Sequence, residues 1–397
     1  MRLAEVDGKA LLRRHGLAAP RGILLGAGDD PPEELIRHWP GYFLKAQLLE
    51  GGRGKRGLVR RFDHWTDFRN ARRLILATLD DADTPLLLEE AVPVSHEIYL
   101  ALRIDGSEQR LELLVAPEGG EDVEQAAKLA HIPAIGGTIT AEMIFPAIAK
   151  LFPPELTVRL ARYAPRLLEI ARQEDLELLE VNPLVLTEDG RLVVCDAKLI
   201  RDDSAAFRHD PDEFPISRML GERAMTPLER SARELGFQLV ETEVDFVLVT
   251  SGAGLAMMMM DLLADHGLRA ASFMDNLRGA PDETMVERLK IARLLAARPN
   301  IKGIVFQTVI ASRSLAERIE ALVAWINAEP LPKPLFVGLA AGHAATRTMT
   351  TDEAIAKLRA LGVPAFTDPV AWVKATAKPA KSSRPASPPC TRFHQRK

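Results

Sequence analysis

Residues Leu178–Lys198, LLEVNPLVLTEDGRLVVCDAK, form the stretch that decides the fold of the first half of the chain. Two apolar, strand-favouring segments flank an Asp-Gly dipeptide, which is typical of a β-hairpin with a tight turn. If the turn centres on Asp189, Asn182 and Asp196 are each seven residues away and lie opposite each other on one face. Glu180 shares that face, because side chains along a strand alternate with a period of two.

This face of the predicted hairpin is rich in oxygen ligands. One amide oxygen and two carboxylates suit Mg²⁺ that carries nucleotide phosphates. The alternative is a hairpin whose polar residues simply face water. Acidic side chains inside an apolar strand pair are costly unless something binds them, which favours the ligand-binding interpretation. Pro183 has no N–H for a ladder, so it predicts an edge or irregularity here.

A glycine-rich basic segment, Gly51–Gly57 (GGRGKRG), follows the predicted strand Tyr42–Gln47, which contains Lys45. Glycine allows positive φ and close approach to a ligand, and successive backbone N–H groups can form an anion-binding nest. The Gly-Lys-Ser/Thr ending of a Walker A loop is absent. The segment is interpreted as a phosphate-binding loop. The alternatives are a flexible basic surface loop and, with less support because no aromatic residues interleave, an RNA-binding loop.

Two carboxylates flank the predicted turn at Val92-Pro93, between a buried strand over 86–91 and a strand over 97–104. Glu89 and Glu97 would accept hydrogen bonds from an adenine amine or from ribose hydroxyls. Either residue is also compatible with a solvated carboxylate at the end of a strand. Upstream, Ala4–His15 predicts an amphipathic helix with Val6, Ala10 and Leu11 on one face.

Composition places the chain among soluble globular proteins of two or three domains. It has 397 residues, 47% of them hydrophobic and 27% charged, with a formal net charge of −4 that argues against general nucleic-acid binding. Two cysteines, Cys195 and Cys390, exclude a disulfide framework and fit a reducing cytoplasm. The N-terminal residues lack the apolar segment of a signal peptide, and no apolar run approaches membrane-spanning length, so no membrane contact is expected.

The second half of the chain alternates strands and helices regularly. The strands are predicted at 246–250, 271–274, 301–308, 335–339 and 365–367, which favours a doubly wound, flavodoxin-like parallel sheet. The polar segment 210–241, with one helix near 227–236, is interpreted as the domain connection. We therefore predict domains over 1–235 and 242–376, followed by a disordered basic tail over 377–397.

The hairpin motif Glu-x-Asn-Pro-Leu-Val, with the later Asp-x-Lys, resembles the β subunit of succinyl-CoA synthetase and the matching part of ATP-citrate lyase. Lys45 with GGRGK, the segment 89–100, and Pro117-Glu118-Gly119-Gly120 share that resemblance. It runs in one order from Met1 to about Lys374, and it is more specific in the first half than in the second. It implies an ATP-grasp fold up to about residue 235, with the nucleotide between two α+β lobes, and a CoA-ligase domain after it.

The resemblance also implies roles for individual residues. Seven positions match nucleotide-binding residues of the family: Lys45 for the phosphates, Gly52, Arg53 and Gly54 as their cover, and Glu89, Val92 and Glu97 for the base and ribose. Asn182 and Asp196 match Mg²⁺ ligands, and Glu180 matches an acid that faces a phosphohistidine. The implied activity is that of an acid–CoA ligase β subunit that uses ATP or GTP. An α subunit would carry coenzyme A and the phosphohistidine.

The second half departs from the succinyl-CoA synthetase pattern at four loops where the carboxylic acid would bind. Ser251 replaces an Asn, and Arg278 and Arg313 lie in loops that lack the family's glycines. Both arginines are candidates for pairing with a substrate carboxylate, or for filling the pocket. The acid is accordingly left open among succinate, malate and citrate. His343, in a Gly-His-Ala loop, lies at a β-subunit position, which disfavours a phosphoryl-carrying role.

Two other functions are compatible with the sequence. The altered acid-binding loops fit a nucleotide-binding regulatory or scaffold subunit that has lost ligase chemistry. An ATP-grasp ligase that forms acyl phosphates without coenzyme A is the third interpretation. The sheet domain at the C-terminal end argues against it, because that domain resembles the CoA-ligase module.

Overall fold

The computed structural model describes residues 1–118, 128–242, 245–250, 252–276, 284–310, 314–343 and 345–376. Over these residues the chain forms two compact units, Met1–Glu222 and a second unit that begins at Arg223. The predicted tail, 377–397, lies outside the described residues. No helix among the described residues has both the length and the apolar character needed to cross a bilayer.

The first unit combines seven α-helices and two short 3₁₀ helices, Trp65–Asp67 and Asp203–Arg208, with ten strands in its described residues. The helices are α1 (Glu5–Arg14), α2 (Glu33–Ile36), α3 (Phe68–Leu76), α4 (Ala141–Ile148), α5 (Pro154–Tyr163), α6 (Pro165–Gln173) and α7 (Pro215–Ala224), where the unit ends. The strands are β1 (Gly22–Leu25), β2 (Tyr42–Ala46), β3 (Val59–Phe62), β4 (Leu86–Glu90), β5 (Val94–Asp105), β6 (Arg110–Ala116), β7 (Ala130–Pro133), β8 (Leu176–Thr187), β9 (Leu192–Val194) and β10 (Ala197–Arg201).

The smaller sheet of this unit is antiparallel, with strand order β1-β4-β2-β3. Aromatic side chains close one side of it: Tyr42 stacks on Phe62 at 5.1 Å between ring centroids, and Trp65 stacks on Phe68 at 4.7 Å. Offset stacking of this kind adds to the stabilisation that burial of the rings provides. The sheet therefore packs one face of β2, the strand that carries Lys45, against an apolar core.

The larger sheet is also antiparallel, with order β10-β8-β5-β6-β7 and with β9 paired to β8. Strands β5 and β6 form an antiparallel pair, from Tyr99 with Ala116 to Asp105 with Arg110. Helices α5 and α6 pack in the same core cluster as β8. Residues 154–173 form two helices rather than one, because Pro165, the first residue of α6, has no N–H to donate to the preceding turn.

The second unit alternates helices and strands. Its helices are α8 (Pro227–Glu234), α9 (Ala253–Asp265), α10 (Thr284–Ala296), α11 (Leu315–Ala328), α12 (Thr351–Ala360) and α13 (Pro369–Thr376). Its strands are β11 (Phe237–Glu241), β12 (Asp245–Thr250), β13 (Ser272–Asn276), β14 (Ile301–Ile310), β15 (Leu335–Ala341) and β16 (Ala365–Phe366).

The compact units divide before the predicted domain boundary at 235. Ala232 of α8 and Phe237 of β11 are fully buried in the core cluster of the second unit. Thr226 and Glu229 form a capping box at the start of α8, and the Glu229 carboxylate also accepts the Glu241 N–H at 2.9 Å. The connection is therefore packed structure, although the domain limits 1–235 and 242–376 themselves stay a prediction.

The parallel sheet of the second unit has the order β12-β14-β15-β16. The mixed fold with a parallel sheet is confirmed, and Ala270, just before β13, forms a parallel bridge with Phe246 of β12. Strand β13 forms an antiparallel pair with β11, a strand that the sequence analysis missed. Next to β12 the buried Ser272 hydroxyl donates to the Leu248 carbonyl and accepts its N–H, so a side chain replaces part of the ladder.

Candidate functional site

A cavity of about 700 Å³ in the first unit is lined by residues from both of its sheets. All ten site residues predicted in this half of the chain line it: Lys45, Gly52, Arg53, Gly54, Glu89, Val92, Glu97, Glu180, Asn182 and Asp196. These residues span more than 150 positions of sequence. The fold thus brings the glycine-rich segment and the central hairpin to one place, while the roles of the individual residues stay predictions.

The central hairpin has the predicted register. Leu184 pairs with Val194 and, beyond the point where β9 ends, Val181 pairs with Ala197. Between these pairs the Asn182 N–H donates to the Asp196 carbonyl at 3.2 Å, so the two predicted metal ligands lie opposite each other. The Asp196 side chain is 37% exposed. An amide and a carboxylate that share one cavity wall fit a Mg²⁺ ion, whose preferred ligands are hard oxygens.

A cluster of buried charges lies at the cavity wall. The Lys45 Nζ donates to Glu5 Oε1 at 2.7 Å and lies 2.9 Å from Glu89 Oε2. The Lys9 Nζ contacts Glu5 at 2.6 Å and both Glu89 oxygens at 2.7 Å. Both ammonium groups also donate to the Cys195 carbonyl at 2.7 Å. Charged groups are tolerated at such depth only when they are paired and hydrogen-bonded, as these are.

Arg53 joins this cluster to the hairpin. One guanidinium nitrogen lies 2.7 Å from Glu5 Oε2, and the other contacts the two Asp196 oxygens at 2.9 and 3.0 Å. The loop that carries it curls back on itself: Gly52 has φ 74°, and the N–H groups of Gly57 and Leu58 donate to carbonyls within the loop. Because φ of this sign is costly for residues with a Cβ, glycine is required there. Arg56 instead pairs with exposed Glu50.

The cluster shifts the pKa values of its members. Burial disfavours ionisation of Glu5, but the charges of Lys45, Lys9 and Arg53 outweigh it, and its pKa lies well below the usual range. Burial would lower the pKa of Lys45, yet the carboxylates of Glu5 and Glu89 raise it instead. Both groups are therefore charged at neutral pH. Burial raises the pKa of the Cys195 thiol to about 11, so it is protonated there.

The predicted base-binding residues differ in their surroundings. Glu89 is 1% exposed and accepts hydrogen bonds from Lys9 through both of its oxygens. Glu97 is exposed at the cavity, in register with Val185, and Val92 is half-buried. Glu97 and the main chain at Val92 are thus accessible from the cavity, whereas the Glu89 carboxylate belongs to the ion cluster. Glu180 lines the cavity with Lys198, 3.8 Å away.

The sequence analysis missed Glu5 and Lys9. The apolar face predicted for α1 is only partly correct, because Ala10 is exposed while Glu5 and Lys9 are buried. Their spacing of four residues places both on one side of the helix. An acidic residue and a lysine four positions apart on the core side of a predicted helix would have indicated this buried pair.

In the second unit, the predicted substrate residues Ser251, Arg278 and Arg313 lie outside the described residues, as do Gly119 and Gly120 in the first. Thr250, at the carboxyl end of β12, is described, and its carbonyl accepts a hydrogen bond from buried Arg288 at 2.7 Å. His343 is exposed, and its carbonyl accepts a hydrogen bond from Thr346.

Comparison with known proteins gives consistent results. The family model of the ATP-grasp domain matches residues 2–186. The β subunit of an ADP-forming succinate–CoA ligase from Desulfurococcus amylolyticus is 32% identical over 349 residues, which cover 85% of this chain and 89% of that protein. The β subunit of the same name from Syntrophotalea carbinolica is 32% identical over 321 residues, covering 77% of this chain and 81% of that protein.

A solved structure supports the fold independently. ATP citrate lyase from Methanothrix soehngenii, in complex with citrate and coenzyme A, matches with a TM-score of 0.67. The match covers 94% of this chain and 98% of that one, at 16% sequence identity. At this identity the likeness shows the fold alone.

Proposed function

Because this chain belongs to the family of succinate–CoA ligase β subunits, we propose that it is the nucleotide-binding subunit of an acid–CoA ligase that uses Mg-ATP. GTP is the alternative nucleotide. The reaction joins a carboxylic acid to coenzyme A with release of ADP or GDP and inorganic phosphate. An α subunit would supply the coenzyme A site and a histidine that carries the phosphoryl group.

The observation that carries the proposal is the pairing of cations with oxygen donors at one cavity. Lys45 and Arg53 line the same cavity as Asn182 and Asp196. Arg53 belongs to the glycine-rich loop, whose turn depends on the positive φ of Gly52. Phosphoryl transfer depends mainly on positioning and on charge neutralisation, so a protein needs cations and metal ligands close together rather than a covalent catalyst.

Each of these residues has a definite task in the proposal. Lys45 and Arg53 bind and orient the phosphates, and the glycine-rich loop excludes water from them. Asn182 and Asp196 would hold Mg²⁺, which neutralises charge on the phosphate oxygens. Glu180, on the same strand as Asn182, would face the partner's phosphohistidine. On the base side, Glu97 and the main chain at Val92 would contact the base and ribose.

The carboxylic acid is expected at the second unit. Ser251, Arg278 and Arg313 are the proposed substrate residues, with the two arginines pairing with carboxylate oxygens. Succinate, malate and citrate are the acids to test first, since the names of the relatives and of the structural neighbour include succinate and citrate.

The test is reconstitution with the protein that co-purifies from the source organism. We expect Mg-ATP to phosphorylate a histidine of that partner, and CoA thioester to form with one of the three acids. Partner phosphorylation without thioester from any acid would favour a regulatory or scaffold subunit. Acyl phosphate formed without coenzyme A would indicate a different ATP-grasp ligase, and no binding of Mg-nucleotide would contradict the proposal altogether.

A further inference from the structure

Helix α1 contributes two charged side chains that do not belong to the phosphate-binding set proposed above. Glu5 is 2% exposed and Lys9 is fully buried. Each of the two Glu5 oxygens contacts a different cation, Lys45 through Oε1 and Arg53 through Oε2, at 2.7 Å in both cases. This one carboxylate therefore connects the cation on β2 with the cation on the glycine-rich loop.

We propose that Glu5 is a positioning residue for the nucleotide phosphates, which sets the separation of Lys45 and Arg53, and that Lys9 holds Glu5 in place. The proposal rests on the proposed function, because it assumes that Lys45 and Arg53 bind phosphate. Neither Glu5 nor Lys9 needs to contact the nucleotide. They act through the two cations that do.

Side-chain flexibility is the reason such a residue is needed. Lysine and arginine have long side chains that lose considerable rotamer entropy when they are fixed. A binding site gains when this ordering is achieved before the ligand arrives. Because Glu5 engages both cations at once, it orders Lys45 and Arg53 together in the folded protein.

Charge balance explains the part of Lys9. The carboxylates of Glu5 and Glu89 both contact the Lys9 Nζ, and both contact the Lys45 Nζ. If Lys9 is removed, the carboxylates of Glu5 and Glu89 compete for Lys45, and they neutralise more of the positive charge that it offers to the cavity. With Lys9 present, part of the Lys45 charge remains available to a phosphate.

A purely structural role for these residues is the competing explanation, and the chain offers a matched control on the same helix. Asp7 is 7% exposed, and its carboxylate accepts hydrogen bonds from the Ser217 N–H at 2.6 Å and hydroxyl at 2.5 Å. It is not among the residues that line the cavity. Substitutions at Asp7 therefore disturb the packing of α1 without touching the cations.

The experiment compares Glu5→Gln, Lys9→Met and Asp7→Asn in the full chain, each assayed for thermal unfolding and for calorimetric binding of a non-hydrolysable Mg-ATP analogue. Removal of supporting residues around a site typically weakens binding by about tenfold to a hundredfold. We expect losses of that size for Glu5→Gln and Lys9→Met. For Asp7→Asn we expect a lower Tm, with affinity within about twofold of wild type measured well below that Tm.

A double-mutant cycle with Arg53→Met separates positioning from general damage. With one of the two proposed phosphate-binding cations gone, Glu5→Gln should cost clearly less affinity than it does in the wild-type background, whereas Asp7→Asn should cost the same in both. Wild-type affinity in Glu5→Gln, or an equal loss in both backgrounds, would overturn the inference. If the wild-type chain binds no Mg-nucleotide, the proposed function fails and this inference fails with it.

Discussion

The two units bury charge very differently. Among the described residues the first unit has eight charged side chains that are nearly inaccessible: Glu5, Asp7, Lys9, Lys45, Arg53, Glu89, Glu112 and Arg201. The second unit has two, Arg288 and Glu241, whose side chain is 5% exposed. Five of the eight belong to the ion cluster at the cavity. The first unit thus has its candidate nucleotide site at a cluster of buried charges, whereas the core of the second is mostly apolar and its proposed substrate residues come shortly after its strands in the sequence.

This contrast indicates where each unit tolerates amino-acid substitutions. Burying charge is costly, and a domain retains it where a function needs cations that are already fixed in position. An apolar parallel sheet makes no such demand, and the loops after its strands can vary without disturbing the core. The family resemblance is accordingly tight in the first half of the chain and looser in the second.

The contrast is tested most severely by removing one buried cation from each unit. Lys9→Met leaves Glu5 and Glu89 short of a partner and should destabilise the first unit by about 3–5 kcal/mol. Arg288→Met removes a hydrogen bond to the Thr250 carbonyl and should cost the second unit about 1 kcal/mol. Denaturant unfolding followed by hydrogen exchange in each unit measures both. Equal losses would contradict the contrast.

Removal of Lys45 tests whether the buried charge serves a ligand. Lys45→Met should weaken Mg-nucleotide binding by about 2–5 kcal/mol, because it deletes a desolvated cation and leaves Glu89 and Glu5 to Lys9 alone. Calorimetry measures the affinity. Lys290→Met is the control, since this lysine is 60% exposed in the second unit and pairs with Glu287 at helical spacing. Comparable losses in the two variants would argue against a nucleotide site at the cavity.

The pH dependence of stability should also differ between the units. The pKa of Glu5 is lowered in the folded state, so its stabilising contribution is present above its unfolded value of 4.5 and is lost as pH falls below it. Acid should therefore weaken the first unit more steeply than the second. Glu5→Gln should flatten that dependence. Hydrogen exchange between pH 5 and about pH 3 checks both statements, and an unchanged slope in the variant would refute the assignment.

The smallest effect is expected at His343. It is exposed in the second unit and is not among the residues that line the cavity of the first. His343→Asn should change partner phosphorylation by less than about twofold, because an exposed loop side chain outside the phosphate site has little influence on transfer. A loss of phosphorylation in this variant would mean that a loop of the second unit carries phosphate.

Local patterns in the sequence were enough to predict much of the first unit. The Asp-Gly turn fixed the register that sets Asn182 opposite Asp196, because a hairpin leaves little freedom once its turn is known. The glycine-rich loop and the strand with Lys45 were likewise predictable from neighbouring residues. That these segments meet at one cavity depends on the tertiary structure, and it was predictable only from the family resemblance.

Features that depend on distant partners could not be predicted in the same way. Lys9 looks like a surface residue until Glu89, eighty positions later, is brought beside it. Strand β11 was interpreted as connection, because only its pairing with β13 reveals it as a strand. Ser272 gave no sign that its hydroxyl would take the place of ladder hydrogen bonds beside β12.

The Cys195 carbonyl, which accepts from both Lys9 and Lys45, immediately precedes Asp196 in the chain. Through this one carbonyl, Lys9 of α1 and Lys45 of β2 both contact the hairpin, although all three elements lie far apart in sequence. Anyone transplanting this pocket into another scaffold would have to carry the first helix along with the glycine-rich loop. Copying β2, the loop and the hairpin without α1 would deliver Lys45 and Arg53 but not the Glu5 carboxylate that contacts both.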